Sequence, residues 1–153
     1  MRQMEQDIHW MWKALDEAQK AYNDDEVPVG CIIVHQDFIV GRGHNSVEKL
    51  MDPTAHAEIL AISAAATTMK SWRLNECTLY VNLEPCTMCI GAIHLARIKR
   101  LVFGASDPKF GACGSIIDVP AEPGWNHKLE TQDGILADES ARLMRGFFKK
   151  LRQ

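Results

Sequence analysis

Two short segments, thirty positions apart, constrain this chain more than any other feature: His56-Ala57-Glu58 and Pro85-Cys86-Thr87-Met88-Cys89. Cys86 and Cys89 are three residues apart, so on a helix their thiolates lie on one face and can reach one ion. Each segment follows an expected loop and opens an expected helix, and the partial positive charge of a helix N-terminus stabilises thiolates. We therefore expect both segments at helix starts, with their side chains around one metal ion.

The residue types indicate a catalytic zinc site. One imidazole and two thiolates, from His56, Cys86 and Cys89, provide three zinc ligands and leave the fourth tetrahedral position for water. Glu58 diverges from His56 on a helix, so we predict that it moves protons and does not bind the metal. It would take a proton from the zinc-bound water and return protons to the ring nitrogen and to the departing amine, while hydroxide attacks an amidine-like carbon. Together, H-x-E and P-C-x-x-C form the signature of zinc nucleobase deaminases.

The same residue types also occur in other kinds of site. A Cys-x-x-Cys pair alone is also found in redox sites and as half of a structural zinc site. A structural zinc module that binds a partner would have a closed site of four ligands and no role for Glu58. Cys31, Cys77 and Cys113 have no spaced partner, and we interpret them as structural. The segment Gly41-Arg42-Gly43 lacks the third glycine and the helix of a dinucleotide site, so we expect no organic cofactor.

Length and composition favour one globular domain over residues 1–153. No apolar run approaches the roughly 20 residues that span a bilayer, and the polar N-terminus leads into no signal-type apolar core. We therefore expect a cytoplasmic protein without a membrane segment. The five cysteines are an odd number, which does not suggest a disulfide framework. Because the net charge is −3, any contact with a polyanion must come from a local patch.

The hydrophobic pattern alternates helices with strands. We predict helices near 1–22, 52–69, 85–96 and 137–151, and strands near 30–34, 38–41, 78–83 and 100–104. Residues 44–53 are expected to form a loop, and residues 111–134 to be irregular with at most a weak strand. This alternation implies an α/β fold, a three-layer α/β/α sandwich with one central sheet.

Longer segments resemble one family, the bacterial tRNA-specific adenosine deaminases of the cytidine deaminase-like superfamily. The resemblance covers nearly the whole chain and includes Glu26-Val27-Pro28-Val29-Gly30, 52–58, 83–89, 102–105, 111–118, 126–127 and 134–139. The zinc motifs are shared across the superfamily, whereas the first and last of these segments are specific to the tRNA branch. The resemblance implies a mixed five-stranded sheet, a homodimer with its active sites near the interface, and one Zn²⁺ per subunit. It also implies attack on C6 of the wobble adenosine, position 34, of an arginine tRNA to give inosine.

The resemblance further implies the substrate contacts. Asn45 would hydrogen-bond the purine, and backbone N–H groups of Ala57 and Cys86 would steady the group at the reacting carbon. Asp107 would touch the ribose next to the target. The walls of the pocket would be Val27, Pro28 and Leu83. Asn45 is also a candidate loop cap, and Asp107 a candidate turn former before Pro108.

Binding of an anticodon stem-loop requires cations, and these concentrate on the last expected helix. Five cations surround Phe147 and Phe148 there: Arg142, Arg145, Lys149, Lys150 and Arg152. We assign RNA contacts to Lys149, Lys150 and Arg152, although such a charge run is often only a solvated helix face. The rival enzyme is a deaminase of a free base or nucleoside, such as guanine or cytosine, with the same zinc site. The basic helix and the tRNA-branch segments count against it.

Overall fold

The computed structural model describes residues 2–153. This part of the chain contains five α-helices and five strands; the four long helices and four of the strands are those that the hydrophobic pattern predicts, and α2 is additional. The helices are α1 Gln3–Asn23, α2 Val47–Leu50, α3 Ala57–Met69, α4 Thr87–Leu95 and α5 Ala137–Leu151. The strands are β1 Gly30–His35, β2 Phe38–His44, β3 Thr78–Leu83, β4 Arg100–Ala105 and β5 Glu130–Gln132. The short β5 is the weak strand expected within 111–134.

The strands form one mixed sheet in the order β2-β1-β3-β4-β5. Strand β1 is antiparallel to both β2 and β3, whereas β3, β4 and β5 are parallel to one another. Strands β1 and β2 form a hairpin, in which a register shift lies between Ile33 and Val34. The mixed five-stranded sheet is therefore confirmed.

Helices cover both faces of the sheet. Successive residues of a strand point to opposite faces, so Ile32 packs with Met11 of α1, whereas Ile33 packs with Ala61 of α3 and Ile90 of α4. Helix α5 joins α1 on the first face, where it contacts β4. The three central strands are thus buried on both sides, which explains their almost continuous apolar sequences. This arrangement confirms the predicted α/β/α sandwich.

The helix that carries His56 begins later than the sequence indicates. We expected it near residues 52–54, but α3 starts at Ala57. The Asp52 carboxylate accepts hydrogen bonds from the Thr54 N–H at 2.9 Å and from the Thr54 hydroxyl at 2.8 Å. These bonds hold 52–54 in an Asx turn, a local alternative to helical hydrogen bonding.

The expected loop at 44–53 contains the single-turn helix α2. The Glu26 carboxylate, 3% exposed, accepts the Glu48 N–H at 3.0 Å and the Lys49 N–H at 2.8 Å. A distant side chain therefore supplies the acceptors that a short helix start lacks. Within residues 2–153, every helix is too short or too polar to cross a membrane.

A buried ion pair fastens α1 to the sheet. The Arg100 guanidinium donates two hydrogen bonds to the Asp7 carboxylate, at 2.6 and 2.8 Å, and the Tyr80 hydroxyl donates a third at 3.0 Å. Bidentate pairing of this kind compensates for the burial of both charges.

Candidate active site

Two helix starts meet at the centre of the candidate site. His56 is the N-cap residue of α3 and Cys86 is the N-cap residue of α4, both with extended backbone. Cys89 lies in the first turn of α4 and is fully buried. The three side chains therefore lie near helix starts, as predicted, although His56 and Cys86 precede the helices by one residue.

The three side chains have the spacing of a tetrahedral metal site. His56 Nδ1 lies 3.6 Å from Cys86 Sγ and 3.5 Å from Cys89 Sγ, and all three donor atoms lie within 4.8 Å of one another. Zinc bonds of about 2.0–2.1 Å to nitrogen and about 2.3 Å to sulfur, at a tetrahedral angle, separate the two donor atoms by about 3.6 Å. The donor set therefore fits zinc in both chemistry and distance.

The charges around the donor set favour a cation. A hydrogen bond from the Cys89 thiol lowers the pKa of Cys86 to about 4, and His56 acts in the same direction against the effect of burial. The pKa of Cys89 is raised, first by its hydrogen bond to Cys86 and then by burial. One thiolate is thus already present near neutral pH, and a metal ion would replace the proton that the sulfurs share.

Glu58 lies in the first turn of α3, beside the donor set and only 4% exposed. Burial raises the pKa of its carboxyl to about 7, against the opposing effects of a backbone hydrogen bond and His56. A carboxyl group whose pKa is near the working pH can both take and give a proton. Its position and its pKa therefore suit the predicted proton carrier.

Asn45 follows β2 and is half-buried between that strand and α3. Its Oδ1 accepts the Ala57 N–H at 3.0 Å. The bond fixes the orientation of the amide, because only oxygen can accept from an N–H, and it leaves Nδ2 as the donor end. Asn45 therefore caps the start of α3, whereas the alternative noted above was a loop cap. The Ala57 N–H, which the resemblance assigns to substrate, is used by Asn45 in this structure.

The expected pocket wall is held by a residue that the sequence analysis missed. Pro28 is buried, whereas Val27 and Leu83 are partly buried. Asn82, fully buried in β3, accepts the Gly30 N–H at 2.8 Å and donates to the Pro28 carbonyl at 3.0 Å. An asparagine within an apolar strand was the available signal, since a buried polar group requires partners.

Asp107 caps a turn in the loop after β4. Its Oδ1 accepts the Lys109 N–H at 3.0 Å and the Phe110 N–H at 3.2 Å. The turn-forming role noted for Asp107 is thus present in the structure. Glu84, which the sequence analysis did not single out, accepts the Asp107 N–H at 3.0 Å.

The cations of α5 lie apart from the metal donors. A shallow depression of about 530 Å³ is lined by residues of this helix, among them Arg142, Arg145, Phe148 and Lys149, and by its C-cap residue Arg152. Lys150 points elsewhere, because its ammonium lies 2.8 Å from the Asp25 carboxylate and 4.6 Å from the Tyr22 ring centroid. The three predicted RNA contacts therefore do not form one cluster.

Comparison with known proteins agrees with this geometry. Residues 5–152 match the MafB19-like deaminase family. Proteins named tRNA-specific adenosine deaminase are 42% identical in Bacillus subtilis (strain 168), over 98% of this chain and 93% of theirs, and 47% identical in Aquifex aeolicus (strain VF5), over 91% of both chains.

Solved structures give the same result. One, from "Biochemical and Structural Studies of A-to-I Editing by tRNA:A34 Deaminases at the Wobble Position of Transfer RNA", is similar at a TM-score of 0.84 and 43% identity, over 88% of this chain and 98% of that one. A guanine deaminase from Nitrosomonas europaea is more distant, with a TM-score of 0.76 and 26% identity over 90% of this chain and 81% of its own. The chain therefore belongs to the family of tRNA-specific adenosine deaminases.

Proposed function

We propose that this chain converts the wobble adenosine of a tRNA, position 34 and expected in an arginine tRNA, to inosine by hydrolytic deamination. The observation that carries the proposal is the tetrahedral spacing of His56, Cys86 and Cys89 beside the buried Glu58. Relatives at 42–47% identity, named tRNA-specific adenosine deaminase, support the choice of substrate. The guanine deaminase is less similar, which makes a free base the weaker alternative.

The metal is proposed to be one Zn²⁺ per chain, held by His56, Cys86 and Cys89. When bound, the ion supplies the Lewis acidity that activates water at neutral pH. Glu58 accepts a proton from the attacking water and donates one to N1 of the adenine ring. The carboxylate then takes a second proton, from the hydroxyl group added to C6, and gives it to the amino group; the C6–N bond breaks and ammonia leaves. Because Glu58 is buried, it carries out these transfers away from bulk water.

The purine would be oriented by Asn45. Its Oδ1 is occupied by the Ala57 N–H, so Nδ2 is the end that can donate to an acceptor nitrogen of the base. We therefore assign to Ala57 the positioning of this amide. Val27, Pro28 and Leu83 form the proposed apolar walls, and Asp107 the proposed ribose contact.

The anticodon stem-loop would meet the basic face of α5. Lys149 and Arg152 share their depression with an exposed aromatic ring, Phe148. Exposed cations bind phosphates, and an aromatic ring offers a stacking surface for an unpaired base. Lys150, paired with Asp25, would contribute to RNA binding at most after that ion pair opens. A target in an anticodon loop leaves its stack more easily than one in a duplex.

The family resemblance also suggests a homodimer that works in the cytoplasm. Sedimentation equilibrium of the purified chain tests the dimer, and a single species of monomer mass would contradict it.

An inosine assay on transcribed arginine tRNA tests the proposed function. The wild-type chain should form inosine at position 34, a zinc chelator should abolish the reaction, and the purified chain should contain one zinc ion. Glu58→Gln should keep fold and zinc but lose about 10²- to 10⁴-fold in rate. Glu122→Gln, at an exposed loop position, is the control and should react normally. Turnover of free guanine or cytosine without inosine formation would contradict the proposal.

A further inference from the structure

A buried carboxylate lies directly before the cysteine motif and has no part in the chemistry described above. Glu84 is 3% exposed. Its Oε1 accepts the Asp107 N–H at 3.0 Å, and its Oε2 accepts the N–H groups of Cys113 at 2.8 Å and of Ser115 at 3.1 Å. The Ser115 hydroxyl donates to Oε1 as well. Four donors from one loop thus converge on a single side chain.

These donors come from both ends of one segment, residues 106–116, which we call the rim loop. The carboxylate replaces a strand partner for this irregular backbone, whose buried N–H groups would otherwise lack acceptors. Within the rim loop, a Cβ added to Gly111 would lie only 2.3–2.5 Å from the Glu84 carboxylate carbon and oxygens. The absence of a side chain at Gly111 therefore allows the loop to close around Glu84.

The rim loop is also attached to the metal-binding segment. The Ala112 N–H donates to the Pro85 carbonyl at 2.9 Å, one residue before Cys86. Its exposed part carries Lys109 and Phe110, whose ammonium and ring are 5.7 Å apart, next to Asp107. A cation and an exposed aromatic ring are the groups that hold single-stranded nucleic acid, through phosphate contact and base stacking.

We propose that Glu84 is a positioning residue for the nucleic-acid substrate: its carboxylate holds the rim loop in the conformation that presents Asp107, Lys109 and Phe110 to the nucleotides beside the target base. The proposal rests on the proposed function. It assigns Glu84 to substrate capture and to neither metal binding nor proton transfer, so its effect should fall on KM.

Glu84→Gln tests this role, because the amide places a donor where the loop offers only donors. Loss of an ordering contact worth about 1.4 kcal/mol corresponds to about tenfold, so we expect KM for an anticodon stem-loop to rise about tenfold. The zinc content should be unchanged and kcat should stay within about twofold, since the transition-state contacts at the metal remain. Amide hydrogen exchange at 107–115 should become faster in the free protein.

Gly111→Ala tests whether the contact between Glu84 and the rim loop matters, and not only the presence of the glutamate. Its Cβ displaces the carboxylate from the loop while Glu84 is retained, so it should reproduce the rise in KM and the faster exchange. Ser115→Ala removes one of the four donors and should cause a smaller rise in KM and a smaller increase in hydrogen exchange. If Glu84→Gln fails to fold, these two variants test the proposal in its place.

Asp7→Asn is the matched control, since Asp7 is an equally buried carboxylate that binds Arg100 on the other face of the sheet. It should lower the melting temperature without changing KM or the exchange at 107–115. Loss of zinc, or a fall in kcat at constant KM, in Glu84→Gln would overturn the proposal, as would unchanged KM and exchange. Absence of inosine formation by the wild-type chain would instead contradict the proposed function.

Discussion

At the scale of single residues, two polar side chains with proposed substrate contacts also make hydrogen bonds that hold the backbone. Asn45 accepts the Ala57 N–H with one end of its amide, which caps α3, and has a donor at the other end. Asp107 similarly uses one oxygen for the turn at Lys109 and Phe110. A side chain that is fixed at one end is preorganised at the other, which lowers the entropy lost when it binds a ligand.

The cap hydrogen bond of Asn45 and its proposed contact with the base can be separated by substitution. Asn45→Asp keeps an oxygen for the Ala57 N–H but replaces the Nδ2 donor with a second acceptor, so stability should change little. Deamination should fall about 10- to 100-fold, because one hydrogen bond to the base in a buried site is worth roughly 1.5–3 kcal/mol. Asn45→Ala should lose the activity and also about 1 kcal/mol of cap stability. Urea unfolding and inosine formation measure the two effects; equal activity of Asn45→Asp and wild type would exclude a donor role.

Lys149 and Lys150 are neighbours in the chain, but their ammonium groups have different surroundings. We therefore expect the two lysines to contribute differently to stem-loop binding. Lys149 is exposed, so Lys149→Ala should weaken stem-loop binding and reduce the slope of log K against log salt by about one. The Lys150 ammonium is already paired with Asp25, so Lys150→Ala should leave that slope nearly unchanged and cost at most about 1 kcal/mol of stability. Fluorescence titration at several salt concentrations checks both. If Lys150→Ala changed the salt dependence of binding more than Lys149→Ala, the assignment of RNA binding to Lys149 would be contradicted.

At the scale of elements, the features that could be predicted from the sequence are those that depend on the spacing of nearby residues. The Cys-x-x-Cys pair marks the start of α4, and the alternating apolar residues mark the strands, because neighbours along the chain decide both features. Helix α2 and the rim loop were not predicted, since their acceptors are Glu26 and Glu84, 22 to 31 residues away. A glutamate that binds backbone N–H groups across such a distance has no periodicity to reveal it.

Helix α2 gives an element-scale prediction. It has one turn, too short to be stable alone, and Glu26 accepts two of its first N–H groups. Glu26→Gln should therefore destabilise the protein by about 1–2 kcal/mol and increase hydrogen exchange at 47–50. Glu48→Gln, an exposed residue of the same turn, is the control and should change neither. Unchanged exchange in Glu26→Gln would show that α2 forms without this acceptor.

At the scale of the whole molecule, each face of the sheet buries an ionisable side chain of a covering helix, and the partners of the two side chains differ. Asp7 and Arg100 fasten α1 on one face with a fully paired ion pair. On the other face, His94 of α4 is buried, and its ring stacks on Trp125 with 3.9 Å between the ring centroids. Neither His94 ring nitrogen has a hydrogen-bond partner among residues 2–153. The face that α4 covers thus holds a buried histidine without a polar partner, which acid can charge.

His94 should therefore make global stability depend on pH. Burial, and then the nearby His127, lower the pKa of His94 below its ordinary value. A depressed pKa in the folded state means that the unfolded chain binds the proton more readily, so this contribution to stability is complete above about pH 6.5 and is lost as the pH falls through the folded pKa. His94→Phe keeps an aromatic ring against Trp125 and removes the titration. Urea unfolding at about pH 8 and about pH 5.5 should show wild type losing stability relative to His94→Phe at the lower pH; an equal difference at both pH values would contradict the assignment.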